Sequence, residues 1–237
     1  MKTSVFLREY MGKIGIDISN EQAEKFSSYC ELLLEYNAVM NLTAITDEKE
    51  ICIKHFADSA VVLKYFDLKH KDVIDVGTGA GFPGLPLKIL CPEMRLTLLD
   101  GLNKRVAFLE EVCRKLSLEN VTCIHARAEE VAKDESMREK YDIALSRAVA
   151  PLNILCEYDM PFVKVGGKFL ALKGKNAETE IKEAENAVSL LGGKLVKNID
   201  IKLPDTDFER YITEIEKTSP TDTKYPRRAK KISTSPL

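Results

Sequence analysis

The chain has 237 residues and a formal net charge of −2, with 45% apolar and 30% charged residues. This is the composition of a globular protein with an ordinary buried core, and the length suits one large α/β domain or a domain with an added segment. The near-neutral charge excludes a protein that coats nucleic acid through its overall charge. Any RNA partner must therefore meet a local basic patch.

Six cysteines are scattered along the chain without a C-x-x-C pair, which predicts reduced, mostly buried thiols and no metal site. Arg8 and Glu9 stand where a secretory signal would need its apolar core. No apolar run approaches the roughly 18 residues of a membrane span. We therefore expect a cytoplasmic protein with no membrane partner.

Residues 1–66 are expected to form a helical extension. Ser19 and Gln22 have the spacing of a capping box, in which each residue's side chain binds the other's backbone N–H at a helix start. Apolar residues then recur at helical spacing. A loop is expected over residues 37–44, before a second capping pattern and a further helix.

The helix after this loop carries His55, Asp58 and Ser59. Offsets of three and four residues put all three side chains on one face. His55 with Asp58 could be a proton relay, but a helical histidine beside an acid is more often held in a structural hydrogen bond. From the residues alone, the structural interpretation is the better one.

A glycine-rich loop follows the first predicted strand, residues 72–76, whose β-branched run is typical of a strand buried on both faces. The loop contains Gly77, Gly79, Gly81 and Gly84. Glycines at this density let the backbone adopt positive φ and come close to a ligand. With the helical pattern after it, the segment is typical of the opening of a nucleotide-binding βαβ unit.

The loop departs from a dinucleotide fingerprint. Counted from Gly77, G-x-G-x-x-G would need a small residue where Phe82 stands, and the frame that begins at Gly79 starts late and carries Pro83. S-adenosylmethionine fits this loop because it has no pyrophosphate and carries a cationic sulfonium. A nicotinamide cofactor and a tight turn without a ligand remain the alternatives.

Strands and helices alternate from residue 72 onward, which implies a mostly parallel, Rossmann-like sheet covered on both faces. The predicted strands are 72–76, 95–100, 121–125, 141–146 and 167–173, with helices at about 84–91, 103–117, 151–164 and 176–191. Two further strands, 194–202 and 211–217, flank a turn-rich joint and predict an antiparallel pair at the end of the sheet.

Three parts of the chain are expected on this basis. They are the helical N-terminal extension (1–66), the α/β domain (67–220) and a basic C-terminal tail (221–237). The tail concentrates its cations within residues 224–231, and we expect it to be mobile.

Candidate cofactor contacts follow the second and third strands. Asp100 ends the second strand, where a carboxylate can accept hydrogen bonds from ribose hydroxyls, although it could instead cap the next helix. Ala128 and Glu129 follow the third strand at the same carboxyl edge and could meet the adenine. Glu130 leaves the choice between the two glutamates open.

The fourth strand ends at Arg147. No Asn-Pro-Pro-Tyr segment stands there, which disfavours methylation of an exocyclic amine, and no cysteine is placed to attack a pyrimidine carbon. Arg147 cannot act as a base, but it can bind a phosphate or donate to a base oxygen; a surface ion pair is the alternative. A reaction that needs no base, such as methylation of N7 of guanine, would suit this site.

Several motifs occur in a characteristic order. They are Asn41-Leu-Thr-Ala, Lys54-His-Phe-Ala-Asp-Ser59, Asp75-Val-Gly-Thr-Gly-Ala-Gly-Phe-Pro-Gly84, Leu99-Asp100 with Asn103-Lys-Arg-Val-Ala-Phe-Leu109, Arg127-Ala-Glu129, Ser146-Arg-Ala-Val-Ala150 and Lys224-Tyr-Pro-Arg227. Over nearly the whole chain, they resemble the bacterial small-subunit rRNA guanine-N7 methyltransferase family RsmG, also called glucose-inhibited division protein B.

The resemblance implies a class I S-adenosylmethionine-dependent methyltransferase fold with a helical N-terminal extension. It implies methyl transfer from S-adenosylmethionine to N7 of a guanine in a 16S rRNA loop near the decoding site. The family's cofactor contacts map onto Gly77, Phe82, Ala128, Glu129 and Arg147, to which the loop pattern adds Gly79 and Asp100. Asn41, His55 and Arg210 match family positions near the RNA, and we take Arg147 and His55 as the candidate catalytic residues.

The expected partner is 16S rRNA or a precursor of the small ribosomal subunit, with no role for DNA and with a monomeric protein. Phosphate contacts are expected from the tail residues Arg227, Arg228, Lys230 and Lys231. A methyltransferase that acts on a small molecule and a non-catalytic RNA-binding assembly protein are the competing interpretations.

Overall fold

A computed structural model describes residues 2–147 and 150–237. In the N-terminal extension, helix α1 spans Thr3–Lys13 and helix α2 spans Asn20–Met40. The Oγ atom of Ser19 accepts the Gln22 backbone N–H at 3.1 Å, and the Gln22 side-chain oxygen accepts the Ser19 N–H at 2.9 Å. The capping box at the start of α2 is therefore confirmed.

The loop expected from residue 37 starts later than predicted, because α2 continues to Met40. Asn41 caps the C-terminus of α2, and its φ of 51° lies in the left-handed region that asparagine tolerates. Asn41 thus has a local structural role as the C-cap of a long helix.

The helix that carries His55 changes type along its length. Helix α3 (Glu48–Ile51) leads into a π-helical segment (Cys52–Ala57), which continues as helix α4 (Asp58–Ala60) and a 3₁₀ turn (Val61–Lys64). The predicted helix is present, but its central turn is wider than an α-helical turn. Such π segments are frequent at functional sites.

The described residues form one seven-stranded sheet. Its strands are β1 (Asp72–Val76), β2 (Arg95–Asp100), β3 (Val121–His125), β4 (Tyr141–Arg147), β5 (Val163–Lys173), β6 (Gly193–Ile201) and β7 (Arg210–Lys217). The order is β3-β2-β1-β4-β5-β7-β6, and only β7 and β6 enter through antiparallel pairing. The mostly parallel sheet with an antiparallel end is confirmed. The strand order changes direction between the parallel neighbours β1 and β4, and open α/β sheets bind ligands at such a point.

Helices cover both faces of this sheet. They are α5 (Gly84–Leu90), α6 (Asn103–Lys115), α7 (Ala128–Val131), α8 (Leu152–Asp159), α9 (Ala177–Leu190) and α10 (Ala229–Thr234). In residues 2–147 and 150–237 no helix has the length and apolar character needed to cross a bilayer.

The N-terminal extension shares one hydrophobic core with a face of the sheet. Phe26 and Phe56 are fully buried, and their ring centroids lie 4.9 Å apart. The same cluster includes Val73 on β1 and Leu98 on β2. A second cluster on the other face joins β1 and β4 to α8 and α9. The extension is therefore held against the sheet by buried apolar surface.

The helix predicted over residues 151–164 is too long. Helix α8 ends at Asp159, and a 3₁₀ turn (Met160–Phe162) follows. Pro161 cannot donate the hydrogen bond that would continue the helix. Strand β5 then begins at Val163, earlier than predicted, with a register shift that absorbs the extra residues.

The tail that the sequence predicted to be mobile packs against the sheet domain. Tyr225 is buried and Ile232, on α10, is fully buried. The Arg227 guanidinium donates to both carboxylate oxygens of Glu157 on α8, with Nη2 to Oε2 at 2.6 Å. The charge pattern alone could not reveal this docking, because the buried acid lies far away in the sequence.

Candidate active site

The glycine-rich loop adopts backbone conformations that require glycine. Gly77, Gly79 and Gly81 have φ values of 68°, 62° and 99°. A Cβ atom on Gly81 would also lie 2.6 Å from the hydroxyl oxygen of Tyr29. The loop can therefore approach a ligand with its backbone, as the sequence predicts.

Asp75 holds the two ends of this loop together. Its Oδ2 atom accepts the Thr78 hydroxyl at 2.7 Å and the Gly84 N–H at 2.8 Å. A Cβ atom on Gly84 would lie 2.8 Å from this oxygen, so the helix start must be glycine. Burial raises the pKa of Asp75 to about 6. This positioning role was not predicted, although Asp75 lies within the motif.

Asp100 connects the loop to β2. Its Oδ2 accepts the Gly79 N–H at 3.0 Å, and its Oδ1 accepts the Leu102 N–H at 2.9 Å just before α6. The carboxylate thus orders the backbone on both sides. A ribose contact for Asp100 stays a prediction, with the remaining lone pairs as possible acceptors.

A first cavity, of about 210 Å³, brings together four of the predicted cofactor residues: Gly77, Asp100, Ala128 and Glu129. Its wall is completed by residues that were not predicted, Leu155, Tyr158 and Asp159 from α8 and Ala229 from α10. The neighbouring Glu130 is exposed, which favours Glu129 of the two glutamates. We call this space the cofactor cavity.

A second cavity, of about 570 Å³, lies between the N-terminal extension and the ends of β4 and β7. His55, Arg147 and Arg210 line it, together with Asp58, which the sequence placed beside His55 on one helix face. Three further lining residues were not predicted as site residues: Lys54, Lys173 and Phe208. We call this space the basic cleft. It opens to the surface, as the cofactor cavity does.

Phe82 ties the loop to the basic cleft. Its ring centroid lies 4.5 Å from that of His55, and the Arg147 guanidinium carbon lies 4.9 Å from it. Phe82 and Arg147 therefore lie together at the basic cleft, and neither is among the residues that line the cofactor cavity. Their predicted contacts to the cofactor stay predictions.

Asp58 is the central anion of the basic cleft. Its Oδ2 accepts Arg147 Nη1 at 2.9 Å, and its Oδ1 accepts Arg210 Nε at 3.1 Å. The residue is only 3% exposed, so both ion pairs are shielded from water. One carboxylate thus joins the extension to β4 and β7. Its only sequence signal is its place one turn after His55.

Hydrogen bonds fix the tautomer of His55. Arg147 Nη2 lies 3.2 Å from His55 Nδ1, and the Thr43 hydroxyl lies 2.8 Å from Nε2. Because a guanidinium only donates, Nδ1 accepts and Nε2 carries the proton. Burial, with the Arg147 charge, lowers the pKa of His55 to about 3. Both nitrogens are occupied, which leaves none for a relay to Asp58 and favours the structural interpretation.

Arg147 is held by several groups at once. Besides Asp58 and His55, its Nη1 lies 3.3 Å from the Lys54 carbonyl oxygen and 3.5 Å from the Ser59 hydroxyl. His55, Asp58 and Ser59 therefore do share one face, as predicted. Of the motif Ser146–Ala150, residues 148 and 149 lie outside the described part of the chain.

The remaining predicted RNA contacts lie apart from the basic cleft. Asn41 is exposed at the end of α2, whereas Arg228, Lys230 and Lys231 are exposed at α10. The Arg227 guanidinium is engaged by Glu157 and is 15% exposed. A phosphate contact from Arg227 would therefore compete with a buried ion pair.

A parallel sheet with a glycine-rich loop after its central strand, an acid at the end of β2 and a cavity beyond both defines a class I S-adenosylmethionine-dependent methyltransferase. Solved structures share this fold. A methyltransferase of that type from Aquifex aeolicus has a TM-score of 0.55 at 18% identity, over 74% of this chain and 96% of that one. M. jannaschii TYW2 in complex with AdoMet has a TM-score of 0.53 at 15% identity, over 68% and 74%.

Sequence comparisons with more similar proteins identify the family. The family model described as rRNA small subunit methyltransferase G (GidB) matches residues 22–206. A protein named ribosomal RNA small subunit methyltransferase G from Alkaliphilus metalliredigens is 48% identical over 238 residues, covering 100% of both chains. The chain belongs to this family. It is a methyltransferase whose methyl donor is S-adenosylmethionine, and the resemblance seen in the sequence is confirmed.

The depressed pKa of His55 predicts a specific pH dependence. The unfolded chain binds a proton at this histidine below pH about 6.5, whereas the folded protein does not until pH about 3. His55 should therefore reduce the free energy of unfolding by about 1.4 kcal/mol for each pH unit below 6.5. Urea unfolding of wild type and His55→Gln from pH 6.5 to 4.5 measures this as a difference in slope.

Nitrogen-15 NMR of the same samples gives an independent check on His55. The signals that disappear in His55→Gln should report a neutral imidazole with its proton on Nε2 throughout this range. A His55 that becomes protonated near pH 6 would contradict the assignment.

Replacing Asp58 with asparagine should destabilise the protein by about 3 kcal/mol, because two cations lose a buried counter-charge. The control is Glu50→Gln, which breaks the more exposed pair with Lys54 and should cost less than about 1 kcal/mol. Both values come from urea unfolding at pH 7.5. If both variants lose the same free energy of unfolding, the two Asp58 ion pairs contribute no more than an ordinary surface ion pair.

Proposed function

We propose that this protein transfers the methyl group of S-adenosylmethionine to N7 of a guanine in the decoding-region loop of 16S rRNA. The chemistry of the basic cleft carries the proposal. His55 has both nitrogens occupied, and Arg147 stays protonated, so neither group can remove a proton. N7 of guanine has an in-plane lone pair and no proton, and its methylation requires alignment rather than a base.

The charge of the cleft supports an RNA substrate. Four cations and two acids line it, which leaves a net charge of +2: Lys54, Arg147, Lys173 and Arg210 against Asp58 and Glu180. The Lys54 ammonium lies 4.9 Å from the centroid of the Phe208 ring, and the Arg210 guanidinium lies 5.3 Å from it. Cations beside an aromatic ring suit a phosphate backbone and an unstacked base.

Each residue of the cleft then has a role. S-adenosylmethionine supplies an electrophilic methyl group. Arg147 would donate to O6 of the guanine and so orient N7, as arginine does where it reads guanine in DNA. His55 acts through Arg147 and is a positioning residue in this scheme. Asp58 would hold Arg147 and Arg210 in place beside the guanine.

The finer assignments belong to the same proposal. Asn41 and Arg210 would contact RNA beside the guanine, and the exposed cations of the tail would bind phosphates. The Glu157 ion pair favours a structural role for Arg227. We therefore propose Arg228, Lys230 and Lys231 as the phosphate contacts of the tail. The proposed binding partner is 16S rRNA or a precursor of the small subunit. In this proposal the protein is a cytoplasmic monomer and does not bind DNA.

Mapping of N7-methylguanine in 16S rRNA tests the function. Cells that lack the gene should lose one N7-methylguanine in the decoding region, and wild-type protein should restore it. Arg147→Lys should restore little, because lysine cannot reproduce the planar set of donors. An unchanged methylation map would contradict the proposal. It would favour a small-molecule substrate if the purified protein binds S-adenosylmethionine, or the assembly protein if it does not.

The tail is tested by salt dependence. Neutralising Arg228, Lys230 and Lys231 with glutamine should weaken RNA binding and flatten the log–log slope against salt by up to about 2, at about 0.7 per phosphate. Filter binding from 50 to 300 mM KCl would measure both.

The matched control for the tail neutralises three exposed lysines near the amino ends of the strands: Lys71, Lys115 and Lys140. It removes the same charge far from the carboxyl edge and should leave the slope almost unchanged. Identical slopes for both triple variants would exclude a direct RNA contact by the tail.

A further inference from the structure

Asp159 is a buried carboxylate at the cofactor cavity. It ends α8, lines the cavity with Gly77 and Asp100, and is 0% exposed. Neither of its carboxylate oxygens has a hydrogen-bond partner among the described residues. A buried carboxylate without partners is costly, and native proteins rarely keep one without a use.

A second acid on the same helix provides a direct comparison. Glu157 is also 0% exposed, but both of its oxygens accept from Arg227. The buried carboxylate of Glu157 is therefore neutralised by a cation of the protein itself, Arg227. Asp159, two residues later, lines the cofactor cavity and receives no such cation.

Several of the groups around Asp159 are themselves acidic. Asp75 on β1 raises its pKa further, after burial has already raised it well above the usual range. Asp100 and Glu129 line the same cavity, and burial raises the pKa of the Cys156 thiol on its own helix. Lys173 on β5 donates to the Ala150 carbonyl oxygen and is paired with Glu180.

We propose that Asp159 is a binding residue for the cationic methionine end of S-adenosylmethionine. The donor carries an ammonium and a sulfonium at this end, and either charge would give the carboxylate the partner it lacks. The adenosine part of the donor carries no charge, so only the methionine end can supply a cation to this carboxylate. The inference depends on the cofactor and not on the RNA substrate.

Binding of three ligands to wild type and Asp159→Asn tests the proposal. They are S-adenosylmethionine, S-adenosylhomocysteine, which lacks the sulfonium charge, and 5′-methylthioadenosine, which lacks both charges. Calorimetry should show S-adenosylmethionine weakened tenfold or more by the variant, and methylthioadenosine changed less than twofold. A weakened S-adenosylhomocysteine assigns the ammonium, and an unchanged one assigns the sulfonium.

Two results would overturn the inference. Unchanged affinity for S-adenosylmethionine would remove Asp159 from the site, and equal weakening of all three ligands would place it at the adenosine. Glu130→Gln is the matched control, because it removes one negative charge from an exposed position beside the cavity. It should leave all three affinities within twofold.

A measurement on the wild-type protein keeps the test independent of the variant's folding. If Asp159 is protonated until a cation arrives, binding of S-adenosylmethionine should release a proton that binding of methylthioadenosine does not. Calorimetry at pH 7 in two buffers of different ionisation enthalpy counts the protons. No difference between the ligands would contradict the proposal. Retention of the difference in folded Asp159→Asn would assign the proton to Asp75 and contradict it as well.

Discussion

The architecture of the active site depends on one carboxylate shared by two arginines. Asp58 comes from the N-terminal extension, Arg147 from the end of β4 and Arg210 from the start of β7. A buried anion between two cations fixes three elements that the chain order keeps far apart. Because removal of one partner leaves the others uncompensated, the extension cannot shift without disturbing the strand ends. The extension is therefore part of the active site.

Phe82 gives the two cavities a common wall. The ring belongs to the glycine-rich loop that borders the cofactor cavity, and it packs against His55 and Arg147 in the basic cleft. Tyr29 of α2 also lies against it, with ring centroids 5.5 Å apart. The loop that borders the cofactor cavity is thus supported by the helices that border the basic cleft. The same packed rings hold both cavities at one edge of the sheet.

The sequence was sufficient for features that depend on local rules. The capping box at Ser19, the positive φ of Gly77 and the buried strand before it follow from residue type and spacing. Contacts between distant segments could not be predicted in this way. The partners of Asp58 lie 89 and 152 residues away, and Arg227 finds Glu157 at a separation of 70. Such pairs become visible only when the sheet topology brings their elements together.

The position of Ala229 in the chain has a consequence for biosynthesis. This residue lines the cofactor cavity together with Gly77, which is made much earlier. During translation the strands and the loop leave the ribosome first, and α10 closes over them only afterwards. A nascent chain that already has its whole sheet still lacks the wall that Ala229 gives this cavity. The cofactor cavity is therefore complete only once α10 packs against α8.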